Sequence, residues 1–118
     1  MKLFDSEWKV MEVLWQEGDA TAKALSLRLA DSAGWNKNTT YTVIKKCIEM
    51  GAIERREPNF LCHACITKEA AQREEADALL DKVFGGSAEL LFASVLSGRK
   101  LKKEELERLR ALVEEQEA

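Results

Sequence analysis

Apolar positions recur at the helical period through most of this chain, and give way to strand formers around a turn only between Ala52 and Ile66. Trp8, Met11, Leu14 and Trp15 make the first stripe, with Asp5 placed to cap that helix, Glu7 facing the positive end of its dipole and Gly18 closing it. Thr21 then opens a short second helix in which Leu25 and Leu29 face inward until Gly34. The turn SAGWN sets Trp35 just before a third helix, where its indole is expected to anchor neighbouring elements.

That third helix, Trp35 to Gly51, has two unlike faces. Asn36 can cap its start, Gly51 can end it, and Thr40, Val43, Ile44, Cys47 and Ile48 recur at the spacing of a buried stripe. At about 100° per residue the opposite side carries Asn38, Thr42, Lys45 and Glu49, flanked by Tyr41, Lys46 and Thr39, with Lys37 at the start. Amide, hydroxyl and ammonium groups of this kind can donate to base edges and phosphates, and they also suit plain solvation. Position in the chain favours the first reading, because three short helices with tight turns have the layout of a helix-turn-helix.

Ala52–Arg56 and Asn59–Ile66 are rich in strand formers on either side of Glu57-Pro58-Asn59, which predicts a hairpin, or wing, with Arg55 and Arg56 at its tip. Charges there would position the protein on a DNA backbone without reading sequence. Beyond Thr67 the chain becomes long charged helices. Thr67 can cap one that carries Leu79, Leu80, Val83 and Phe84 and ends at Gly85-Gly86, and Ser87 can cap the next. The segment Ala88–Leu96, with Leu90, Leu91, Phe92, Val95 and Leu96, is apolar nearly all round, and a last helix from about Lys103 to Gln116 shows Leu106, Leu109, Leu112 and Val113. Leu101 could staple its start by packing on Leu106. Helices of this length cannot make an independent core, so a homodimer is expected, with Leu79, Leu80, Val83, Phe84, Leu90, Leu91, Val95, Leu106, Leu109, Leu112 and Val113 in its interface. The competing arrangement folds them back on residues 1–69, a domain too small to cover them all. The fold class expected is mostly α with a small β-hairpin. Residues 1–68 would form a winged helix-turn-helix domain and residues 69–118 a helical dimerisation domain.

Charge alters this picture only locally. The net charge of −3 runs against a nucleic-acid partner, but residues 35–56 carry five basic side chains against two acidic ones. With no apolar run near 20 residues and no signal peptide at the start, a cytoplasmic protein without membrane contact is expected. Three cysteines are an odd number for a disulfide framework and suggest reduced thiols. Cys62, His63 and Cys65 would suit soft metal binding or thiol sensing, but along a strand Cys62 points away from the other two. No metal site or cofactor is assigned there. With no nucleophile beside a base, no phosphate loop and a single histidine, neither an enzyme nor a small-molecule substrate is expected.

Six segments in order carry a resemblance over nearly the full length. They are EWKVMEVLW (Glu7 to Trp15), DATAKAL (Asp19 to Leu25), GWNKNTTYTVIKK (Gly34 to Lys46), the glycine and isoleucine of GAI, FGGS (Phe84 to Ser87) and EELERLRAL near the end. The chain resembles the penicillinase repressor family of winged-helix regulators, the BlaI, MecI and CopY type. The resemblance implies a homodimeric repressor on a dyad-symmetric double-stranded DNA operator. It also implies that Asn38, Thr39, Tyr41, Thr42, Lys45 and Lys46 face the major groove. Two features depart from the family. Where β-lactam-responsive members are cut at an Asn–Phe bond, this chain reads Phe92-Ala93-Ser94, and it lacks the C-terminal CxC pair of copper-responsive members. The other readings left open are a winged-helix protein-interaction adaptor without specific DNA binding, and a metal- or thiol-responsive repressor using Cys62, His63 and Cys65.

Overall fold

The computed structural model describes all 118 residues. Its first compact unit is Met1–Ala76. Here α1 (Asp5–Glu17), β1 (Ala20–Thr21), α2 (Ala22–Ala33), α3 (Lys37–Glu49), β2 (Ile53–Arg56) and β3 (Leu61–Ala64) are followed by the start of α4 (Lys68–Phe84). Val10, Met11, Leu25, Leu29, Ile44, Cys47 and Cys62 are almost fully removed from solvent, and Ala71 of α4 joins the same core. Each helix contributes one stripe to a single apolar centre, which is how a chain of this size removes enough hydrocarbon from water to fold.

The turns follow from local chemistry. The side chain of Thr21 accepts from the N–H of Ala24 at 3.1 Å, and that of Asn36 from the N–H of Thr39 at 2.8 Å, so α2 and α3 both start on a side-chain cap. Gly34 closes α2 at φ +68°, a left-handed conformation that glycine adopts without strain. The start of α1 differs from expectation. Phe4, not Asp5, is the capping residue, and Glu7 turns back to accept from the Phe4 N–H at 3.2 Å. This is the acidic half of a capping box. Phe4 has no side-chain acceptor to supply the other half.

The sheet is also larger than the expected hairpin. β2 pairs with β3 from Ile53↔Ala64 to Arg56↔Leu61, and β1 adds a third antiparallel strand through Ala20↔Cys62 and Thr21↔Leu61. A strand of two residues is too short to show alternation, so only the fold reveals it. The wing turn runs through Glu57–Phe60, with Asn59 at φ +70° and Phe60 at φ +53°. Left-handed backbone costs a non-glycine residue about 1–2 kcal/mol, less for asparagine.

The second unit, Asp77–Ala118, holds the end of α4, then α5 (Ala88–Gly98) and α6 (Lys103–Glu117). The Ser87 hydroxyl accepts from the Leu90 N–H at 3.1 Å and starts α5. Neither α5 nor α6 contains a buried residue. Leu90, Phe92, Leu112 and Val113 are each more than half exposed, and Val95 and Leu106 somewhat less. No helix is long and apolar enough to cross a membrane.

Candidate nucleic-acid interface

Helix α3 presents the two faces its sequence describes. Thr40, Val43, Ile44 and Cys47 are buried and Ile48 is half-buried, which locks the helix on the core and fixes which side is turned outward. Lys37, Asn38, Thr39, Thr42, Lys45 and Lys46 are exposed. None of their side chains makes a hydrogen bond or ion pair within the chain, so their donors remain open to a ligand. Thr40 sits among these polar residues but turns inward, its hydroxyl donating to the Asn36 carbonyl at 3.4 Å.

Three candidate residues have company. Tyr41 is half-buried and meets the ring of Phe60 edge to face, with centroids 5.9 Å apart and planes at 87°, while Lys37 Nζ lies 5.6 Å from the Tyr41 centroid. Lys46 borders a shallow depression lined by Phe4, Ser6, Glu7, Glu49 and Met50, on the α1 side of the helix. Its charge reaches Glu7, which is buried. Burial alone would raise that carboxyl's pKa, but hydrogen bonds from the Ser6 hydroxyl, at 2.6 Å, and from the Phe4 N–H, aided by Lys46, hold it below the ordinary glutamate value. Glu7 is thus a buried anion at the foot of α3.

The wing arginines lie on β2 just before the turn, opposite Cys62 and Leu61, not at its apex. Each is held by an acid two residues away. Arg55 Nε donates to Glu57 and Arg56 Nε to Glu54, both at 2.6 Å, and Arg56 also lies 3.8 Å from Asp19. These hydrogen bonds hold the Glu54 and Glu57 carboxyls below their ordinary range and push the Arg56 guanidinium up. All are exposed, so as stabilising pairs they count for little.

The cysteine segment does not converge. Cys62 is buried, while Cys65 is exposed beyond the end of β3. His63 points the other way, with Nδ1 2.8 Å from the Asp19 carboxylate. No group of three or more His, Cys, Asp or Glu side chains is placed to hold a metal ion. The sequence pattern also overlooks Phe60 and the Asp19–His63 contact. Glu7 was readable only as a first-turn acid facing the helix dipole, because Phe4 lacks the hydroxyl that marks a capping box, and its burial was not readable at all.

The family model of the penicillinase repressor matches residues 3–115. The chain belongs to the penicillinase repressor family. Among relatives, the methicillin resistance regulatory protein MecI of Mammaliicoccus sciuri is 22% identical over 114 residues, 95% of this chain and 93% of its own length. The same protein of Staphylococcus aureus strain N315 matches to the same extent. The solution structure of the DNA binding domain of the repressor BlaI superimposes with a TM-score of 0.54 at 22% identity, covering 59% of this chain and 93% of that domain. At this identity the likeness is one of fold. It gives this member of the penicillinase repressor family the winged helical fold expected of it.

Proposed function

We propose that this chain is a DNA-binding transcriptional repressor that acts as a homodimer on a dyad-symmetric operator. In this reading α3 enters the major groove. Asn38, Thr39 and Thr42 meet base edges, Lys37, Lys45 and Lys46 meet phosphates or bases, Tyr41 flanks the groove, and Arg55 and Arg56 rest on the backbone. The observation that carries it is the outer face of α3, where exposed amide, hydroxyl and ammonium groups make no hydrogen bond or ion pair within the chain while the inner face is locked on the core. Family membership and the likeness to a repressor's DNA binding domain support the same reading. The uncovered apolar residues of α5 and α6 support pairing with a second copy, which would set two α3 helices on half-sites about one or two helical turns apart.

Selection of bound duplexes from a random pool tests dimer and specificity together. A palindromic consensus is expected. Recovery of a non-palindromic consensus removes the dyad, and the absence of any salt-sensitive retention favours an adaptor that binds protein instead.

A further inference from the structure

Phe60, in the left-handed turn of the wing, joins three elements. Its ring packs edge to face on Tyr41 of α3, and the Arg55 guanidinium of β2 lies over its centroid at 3.7 Å. Its carbonyl accepts from the Ala22 N–H at the start of α2 at 3.0 Å, and its N–H donates to Glu57 Oε2 at 3.3 Å. The other oxygen of Glu57 holds Arg55 Nε. The guanidinium is therefore fixed on two sides, with one face on an aromatic ring and its Nε edge on a carboxylate. Its terminal nitrogens keep their N–H groups free, and these are the groups that form the bidentate fork with a phosphate.

We propose that Phe60 is a positioning residue: with Tyr41 it forms an aromatic strut that sets the Arg55 guanidinium in a fixed place relative to α3, so that wing and reading helix engage DNA as one unit. The proposal rests on the DNA-binding reading above. An arginine free on a hairpin surrenders rotamer freedom when it binds, and holding it beforehand reduces that loss. The ring does so without competing with phosphate, because it takes the π face of the guanidinium and leaves the N–H edges open. An exposed ion pair with Glu57 would not hold it alone. Nor does the turn itself call for an aromatic, since glycine would adopt φ +53° without strain.

The test is a double-mutant cycle on the full chain, using the duplex recovered from the random pool and a mixed-sequence duplex. In the unmodified protein Arg55→Ala weakens binding and shallows the salt slope by about one. In the Phe60→Leu background the same change has little further effect, a coupling of about three- to tenfold, whereas Phe60→Tyr restores the full response. Losses that simply multiply would overturn the proposal while leaving the DNA-binding reading intact. Failure of the unmodified protein to bind either duplex removes both. If Phe60→Leu does not fold, NMR of the unmodified, DNA-free protein decides. The Arg55 δ-methylene protons carry an upfield ring-current shift, and ordinary random-coil shifts there overturn the strut.

Discussion

The Trp15 indole donates from Nε1 to the carbonyl of Ile66, 2.9 Å away and 51 residues along the chain. This ties α1 to the segment that leaves the wing. A second tie lies beside it, where Glu12 accepts from the Trp8 indole and from Lys68 Nζ, each at 3.1 Å, and the Trp8 and Trp15 rings meet edge to face at 5.3 Å. Of the two ties, the indole to carbonyl bond should matter more, because it satisfies a backbone group whereas the Lys68–Glu12 pair is partly in water.

Trp15→Phe is therefore expected to lower stability by about 1–2 kcal/mol, read as a shift of the urea midpoint at unchanged slope. Lys68→Met should change it by less than about 0.5 kcal/mol. Equal shifts for the two variants would refute that ranking.

Glu7 makes stability fall on the acid side. Its folded pKa is lowered, so its contribution is fully present above the ordinary glutamate value of about 4.3 and is lost as pH drops through the lower folded value. Urea midpoints of the unmodified protein and Glu7→Gln should differ most near neutrality and converge toward the acid end. A gap that persists unchanged at low pH would mean the carboxylate charge contributes nothing.

The three thiols should separate by reactivity. Burial pushes Cys47 up to about 12, with the charge of Glu7 adding to it, and Cys62 up to about 11, while Cys65 is exposed. The thiolate is the reactive form. Alkylation of the folded protein at pH 8 should label Cys65 alone by mass spectrometry, and denaturant should release the other two. Rapid native labelling of Cys62 would show that the β3 face opens.

Substitutions on α3 should part into two kinds. Lys45→Ala is expected to weaken binding to every duplex and shallow the salt slope, whereas Asn38→Ala should cost about 1–3 kcal/mol on the selected duplex and relax preference at one base pair. Equal losses on selected and mixed-sequence duplex for both variants would remove the base-reading role.

For the apolar helices, Leu112→Glu is chosen because Leu112 is 57% exposed in the single chain, so the change should leave the fold of that chain undisturbed. Sedimentation equilibrium should find a dimer for the unmodified protein and a shift toward monomer for the variant. An identical mass for the two would place the pairing surface elsewhere.

Much of this molecule is local in origin, and local features can be read from residues alone. The 3.6-residue recurrence through Thr40, Val43, Ile44 and Cys47 depends only on helical geometry, and the caps at Thr21, Asn36 and Ser87 depend on residues three positions apart. Family membership was legible too, in motifs spread along the chain. What tertiary structure decided involves partners distant in sequence. Ala20–Thr21 becomes a strand because β3 passes beside it. Glu7 becomes a buried anion beneath Lys46, and Phe60 comes to stand between Tyr41 and Arg55. Periodicity assigns a side chain to a face but not to a neighbour. The neighbours here are set by closure of one core around α1, α2, α3 and the sheet, and only that closure brings the wing turn against α3.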